Sequence, residues 1–79
     1  MAVEVYFEKG AVGAIHTHPH VQISYCLEGA FEVNIGGEIA TFYKGDTYYI
    51  KPGVPHGVVC LEKGALLDIF NPEREDFLV

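Results

Sequence analysis

Apolar and polar residues alternate along this chain in short blocks broken by glycine, proline and aspartate. Phe31, Val33 and Ile35 alternate with Glu32 and Asn34, the period of two expected of a strand with one buried face. Gly36 and Gly37 follow, and both tolerate the positive φ of a two-residue hairpin turn. The returning strand is then Glu38 to Tyr43. Upstream, Val3 to Phe7 is rich in β-forming residues and opens the domain. Gly10 and Gly13 interrupt the chain before a predicted strand from Ala14 to His18, ended by Pro19, which cannot donate to a ladder. The next strand runs from Gln22 to Leu27 and is closed by Glu28 and Gly29. Downstream, Lys44, Gly45 and Asp46 form a turn, and Thr47 to Ile50 a strand stopped by Pro52, Gly53 and Pro55. His56 to Leu61 and Ala65 to Phe70 are the last two strands, with a turn at Glu62, Lys63 and Gly64. Asn71 as cap and Pro72 in the first position predict one helical turn over 72–77. Strands at this spacing, punctuated by glycine, predict an all-β barrel or sandwich.

Size sharpens the problem of stability. The 79 residues form one expected domain, 1–79. A domain this small buries only about 60% of the surface its unfolded chain exposes. Burial and chain entropy then nearly cancel, and a disulfide, a metal or a partner subunit is usually needed. Cys26 and Cys60 are a single widely spaced pair, neither a disulfide framework nor a CxxC motif. Thiols in apolar surroundings predict core residues. Metal binding and dimerisation are left as the expected staples. No apolar run approaches the ~20 residues of a membrane span. The N-terminus lacks the basic region and apolar core of a signal peptide. A cytoplasmic protein with no membrane partner is expected. The net charge is -6 with five scattered basic residues, which argues against a nucleic-acid partner, because phosphate binding needs a basic patch.

The candidate chemistry lies in the histidines. Three of the four, His16, His18 and His20, fall within five residues, and His56 stands alone. Residues two apart on a strand face the same side, so His16 and His18 can point inward and hold one ion. The carbonyl oxygen of Gln22 can also ligate a divalent metal. His56 would come from a distant strand, delivered by a loop that Pro52, Gly53 and Pro55 stiffen. The competing reading is a solvated turn whose histidines bind nothing, and His20, beside Pro19, fits it. Three neutral imidazoles and an amide leave the charge of a divalent ion uncompensated, which favours Lewis-acid work. Such donors suit Zn, Ni, Fe, Co or Mn.

Near the other end, Asp68 and Phe70 share one strand face, and Cys60 shares the parity of His56, so it is expected to line the same cavity. A carboxylate inside an apolar strand is costly unless it is paired or faces a wet cavity. Asp68 therefore either points to solvent from an edge strand or lies in the cavity beside the metal. Arg74, the only arginine, is either part of a solvated charge cluster or a guanidinium placed to clamp a carboxylate in bidentate fashion.

The spacing Gly10-x5-His16-x-His18-x3-Gln22-x6-Gly29 resembles the first cupin motif, and Gly45-Asp46 with Gly53-x2-His56 resembles the second. Gln22 stands where the family often has glutamate, Lys51 where it has proline, and Cys60 where it has asparagine. The resemblance implies a single-domain cupin jelly-roll β-barrel with the metal near its axis, commonly as a homodimer. The segments 16–22, 55–57 and 66–78 look like the pectin-degradation cupins called KdgF, which open the ring of 4,5-unsaturated uronates. That resemblance implies His16, His18, Gln22 and His56 as metal ligands. It implies Asp68, Phe70 and Arg74 as active-site residues and an anionic sugar as substrate. Asp68 would be the general acid/base, Arg74 would bind the carboxylate and Phe70 would pack on a sugar face. A sugar isomerase, a metal-dependent dioxygenase and a non-catalytic small-molecule-binding cupin are the alternatives.

Overall fold

Two long strands carry the fold of the computed structural model, which describes residues 1–71. The elements are β1 (Ala2–Phe7), β2 (Val12–His16), β3 (Val21–Ile35), β4 (Glu38–Tyr43), β5 (Thr47–Ile50) and β6 (His56–Asn71). β3 and β6 pair antiparallel from Val21 opposite Asn71 to Ile35 opposite His56. β1 and β2 share the free edge of β6. β4 and β5 share the free edge of β3. The all-β expectation holds, and among the described residues there is no helix. No helix there is long and apolar enough to cross a membrane. The expected closure into a barrel is not met: among the described residues the sheet runs β1-β6-β3-β4 and stays open.

Two of the expected turns are bulges instead. β3 continues through Glu28 and Gly29, and β6 continues through Glu62, Lys63 and Gly64. The register shifts between Cys26 and Glu28, between Glu28 and Ala30, and between Ala30 and Phe31. Each extra residue bends its strand without ending it. Glycine is required because the two backbones nearly touch. Gly29 has φ 85°, and a Cβ there would lie 2.5 Å from the Glu62 carbonyl oxygen. A Cβ on Gly64 would overlap the Glu28 carbonyl. β2 also differs from expectation, starting at Val12 and ending at His16, so His18 lies beyond the strand. The expected helical turn over 72–77, and Arg74 with it, lie outside the described residues.

One face of the bent sheet forms the core. Along β3, Gln22, Ser24 and Cys26 are buried while Ile23 and Tyr25 are exposed, as the period of two requires. Cys26, Phe31, Val33, Tyr48, Ile50, Cys60 and Leu66 pack together. Phe7 meets Phe31 edge to face at 5.3 Å, a geometry favoured by the ring quadrupoles. Both cysteines are free and buried, as expected. Cys60 belongs to this apolar cluster and is not part of the cavity described below. At one end of the same face the buried residues turn polar: His18, Gln22, Ser24 and His56. Buried polar groups need partners, and where those partners lie defines the site.

Candidate metal centre

His16 ends β2 and His56 begins β6, and the two are direct cross-strand partners. Their ring centroids are 4.4 Å apart. His18 lies two residues past the end of β2, with its ring 4.8 Å from that of His56. The carbonyl of His18 accepts from the Gly53 amide at 2.9 Å. That bond ties the turn after β2 to the loop that delivers His56. One ligand nitrogen from each of His16, His18 and His56 lies within 4.8 Å of the others. The expected convergence of these three side chains is therefore present.

The tautomers follow from the backbone. His16 Nδ1 lies 2.9 Å from the Ala14 carbonyl, His18 Nδ1 3.1 Å from that of His20, and His56 Nδ1 2.9 Å from that of Val54. A carbonyl only accepts, so each Nδ1 carries the proton and each Nε2 keeps a lone pair. The Nε2 of His56 is buried with no partner. Burial pushes the His56 pKa down and the nearby His16 and His18 push it further, while its bond to Val54 works against them.

Gln22 lies beside the three imidazoles. Its Oε1 lies 2.8 Å from His18 Nε2, and its Nε2 donates to Ser24 Oγ at 2.9 Å. Two acceptors therefore face each other at His18 and Gln22. Only a proton or a cation between them makes that arrangement favourable. Together with the orphaned Nε2 of His56, this fits a divalent transition metal held by three imidazoles and one amide oxygen. The backbone carbonyls behind the rings are the outer partners such ligands ordinarily have. His20 does not join the cluster. Its Nδ1 is buried without a partner, and only its carbonyl serves the site.

Asp68 lies across from Ser24 on β6, and Ser24 Oγ donates to Asp68 Oδ1 at 2.6 Å. Burial raises the Asp68 pKa, and the bond from Ser24 and the nearby His56 only partly offset this. Phe70 stands edge-on to His18 at 5.5 Å. Asp68 and Phe70 line a cavity of about 150 Å³ together with His16, His18, Gln22 and His56. Asp68 thus faces the same cavity as the histidines. A larger recess of about 450 Å³ lies among Tyr6, Glu8, Glu28 and Lys63. It has no convergent donors, and its Lys63 pairs with Glu8 at the exposed surface. The smaller cavity is the one on which the histidines converge.

Sequence reasoning missed Ser24 and Tyr48. Tyr48 lies opposite Ser24 in the β3–β5 pairing and has its pKa pushed by burial up to about 12. Ser24 sits two residues from Gln22 on the same face, and that parity was the available signal.

The sequence matches the cupin domain family over residues 3–70. It is 49% identical over 80 residues to the pectin degradation protein KdgF of Dickeya dadantii, spanning 99% of this chain and 73% of that protein. The fold superposes on KdgF from a Halomonas species with a TM-score of 0.91 at 44% identity, covering 98% of this chain and 72% of the other. An RmlC-like cupin from Shewanella frigidimarina gives a TM-score of 0.93 at 49% identity, covering 98% and 69%.

Proposed function

This chain belongs to the cupin family, and on that premise we propose that it is a metal-dependent enzyme acting on a 4,5-unsaturated monouronate. The reaction is ring opening followed by ketonisation, with a product of pectin or alginate breakdown as substrate. The likeness to KdgF, a pectin degradation protein, supports the pathway. The observation that carries the reaction type is the Asp68 carboxylate lining one cavity with the three converging histidines.

The substrate is a cyclic enol ether whose ring oxygen joins the anomeric carbon to the unsaturated one. Asp68 takes the proton of the anomeric hydroxyl, and the bond from the anomeric carbon to the ring oxygen breaks. The anomeric carbon becomes an aldehyde and the ring oxygen an enolate. Asp68 then returns its proton to carbon 4, the enolate becomes a ketone, and the net change is an isomerisation. Burial raises the Asp68 pKa, which makes its carboxylate a stronger base for the first transfer, and the acid so formed is the donor for the second. His16, His18, Gln22 and His56 would hold the divalent ion, which supplies Lewis-acid polarisation of substrate oxygen and compensates the negative charge developing there. Phe70 packs against the sugar ring. Arg74 binds the substrate carboxylate, a role for a bidentate donor. With a net charge of -6, attraction for an anionic sugar is local to the cation and Arg74.

A homodimer covering the open strand edges belongs to the same proposal. The reaction is tested by product analysis in D2O. One deuterium at carbon 4 of an open-chain dicarbonyl acid supports it, and an unchanged sugar or an oxidised product overturns it.

A further inference from the structure

Ser24 is fully buried, and its hydroxyl both donates and accepts. A serine hydroxyl has one proton to give and two lone pairs to receive. The proton goes to Asp68 Oδ1 at 2.6 Å. The Gln22 amide nitrogen donates to Oγ at 2.9 Å. Since an ionised carboxylate can only accept, Asp68 fixes the direction of the whole chain. Ser24 must give its proton to Asp68, so toward Gln22 it can only receive.

That direction matters because a glutamine amide has two faces of opposite character. Turned one way, it offers a carbonyl oxygen to the centre formed by the histidines. Turned the other way, it offers an NH2 group, which ligates nothing. A glutamate at this position would present oxygen either way and would need no such control.

We propose that Ser24 is the positioning residue that sets the orientation of the Gln22 amide, holding its oxygen toward the metal centre and its NH2 group away. This rests on the metal-binding reading of the site. It also joins Asp68 and the metal centre through one polarised chain, with the carboxylate anion at one end and the metal at the other.

The test is zinc affinity, measured by competition with a chromophoric chelator, alongside the visible absorption of the cobalt(II)-loaded protein. Ser24→Ala should weaken zinc binding about 10- to 100-fold, the usual effect of removing an outer partner of a ligand, and should alter the cobalt(II) bands. In a Gln22→Ala background the same change should have no further effect. In a Gln22→Glu background it should have little effect. Ser24→Thr, which keeps the hydroxyl, should restore binding. If Ser24→Ala does not fold, Ser24→Val against the isosteric Ser24→Thr makes the same comparison. Equal affinity of Ser24→Ala and the parent overturns the proposal, as does an equal loss with and without Gln22. Failure of the parent protein to bind zinc or cobalt(II) at all would instead remove the metal-binding reading beneath it.

Discussion

His16 and His56 meet across the β2–β6 ladder with ring centroids 4.4 Å apart. Each is pinned through Nδ1 to a carbonyl two residues earlier, Ala14 for one and Val54 for the other. The same local device on two strands aims two lone pairs at one point. Lone pairs brought together in this way are best satisfied by a shared cation.

Metal should therefore stabilise the fold strongly. A ligand present at about 100 times its Kd adds about 2.7 kcal/mol. In a domain of this size each kcal/mol moves Tm by about 4–8 °C. Calorimetry with and without zinc should show a rise of roughly 10–20 °C, and His56→Ala should abolish most of it. An unchanged Tm would leave the lone-pair geometry without a purpose.

Asp68→Asn should reduce turnover about 10²- to 10⁴-fold, the usual contribution of a general acid/base, even at zinc concentrations that keep the site filled. Steady-state rates paired with metal analysis of the same sample check this. Loss of metal together with activity would mean that Asp68 serves the centre's structure instead.

The pH dependence of metal-free stability has two opposing parts. Burial holds the His56 pKa below its ordinary 6.5, so the unfolded state binds more protons in that window. Its contribution is full above pH 6.5 and is lost as pH falls through the folded value. The Asp68 pKa is raised by burial above its ordinary 3.8. Its contribution is full below that value and is lost as pH rises through the folded one. Denaturant titrations should show Asp68→Asn removing the second dependence and leaving the first.

Gly64→Ala should destabilise the protein by about 1–3 kcal/mol or more, as forced overpacking does, because a Cβ there would overlap the Glu28 carbonyl. Gly37→Ala meets nothing within 4 Å and should lose only the energy of its positive φ. Comparing Tm for the two variants separates close approach from backbone strain.

The parts of this fold legible in the sequence were those set by local period. Phe31, Val33 and Ile35 announced a strand, and the glycines at 36 and 37 announced its hairpin. His16 and His18 could be grouped because strand residues two apart share a side. Gly29 and Gly64 misled because a glycine looks the same in a turn and in a bulge. Only the pairing partner tells them apart, and that partner lies far away in sequence. The direct pairing of His16 with His56 is likewise a matter of register, which composition does not encode. For Ser24 the sequence offered only its parity with Gln22; its role depends on the residue facing it across the strand, Asp68, which lies far away in sequence.

The most direct test follows the conjugated double bond of an unsaturated monouronate by ultraviolet absorbance. Zinc-, nickel- or manganese-loaded protein is compared with the same protein stripped by chelator. The absorbance should decay with at least one loaded sample, persist with the stripped protein, and persist with loaded Asp68→Ala. A steady absorbance in every loaded sample that demonstrably holds its metal would contradict the proposed reaction.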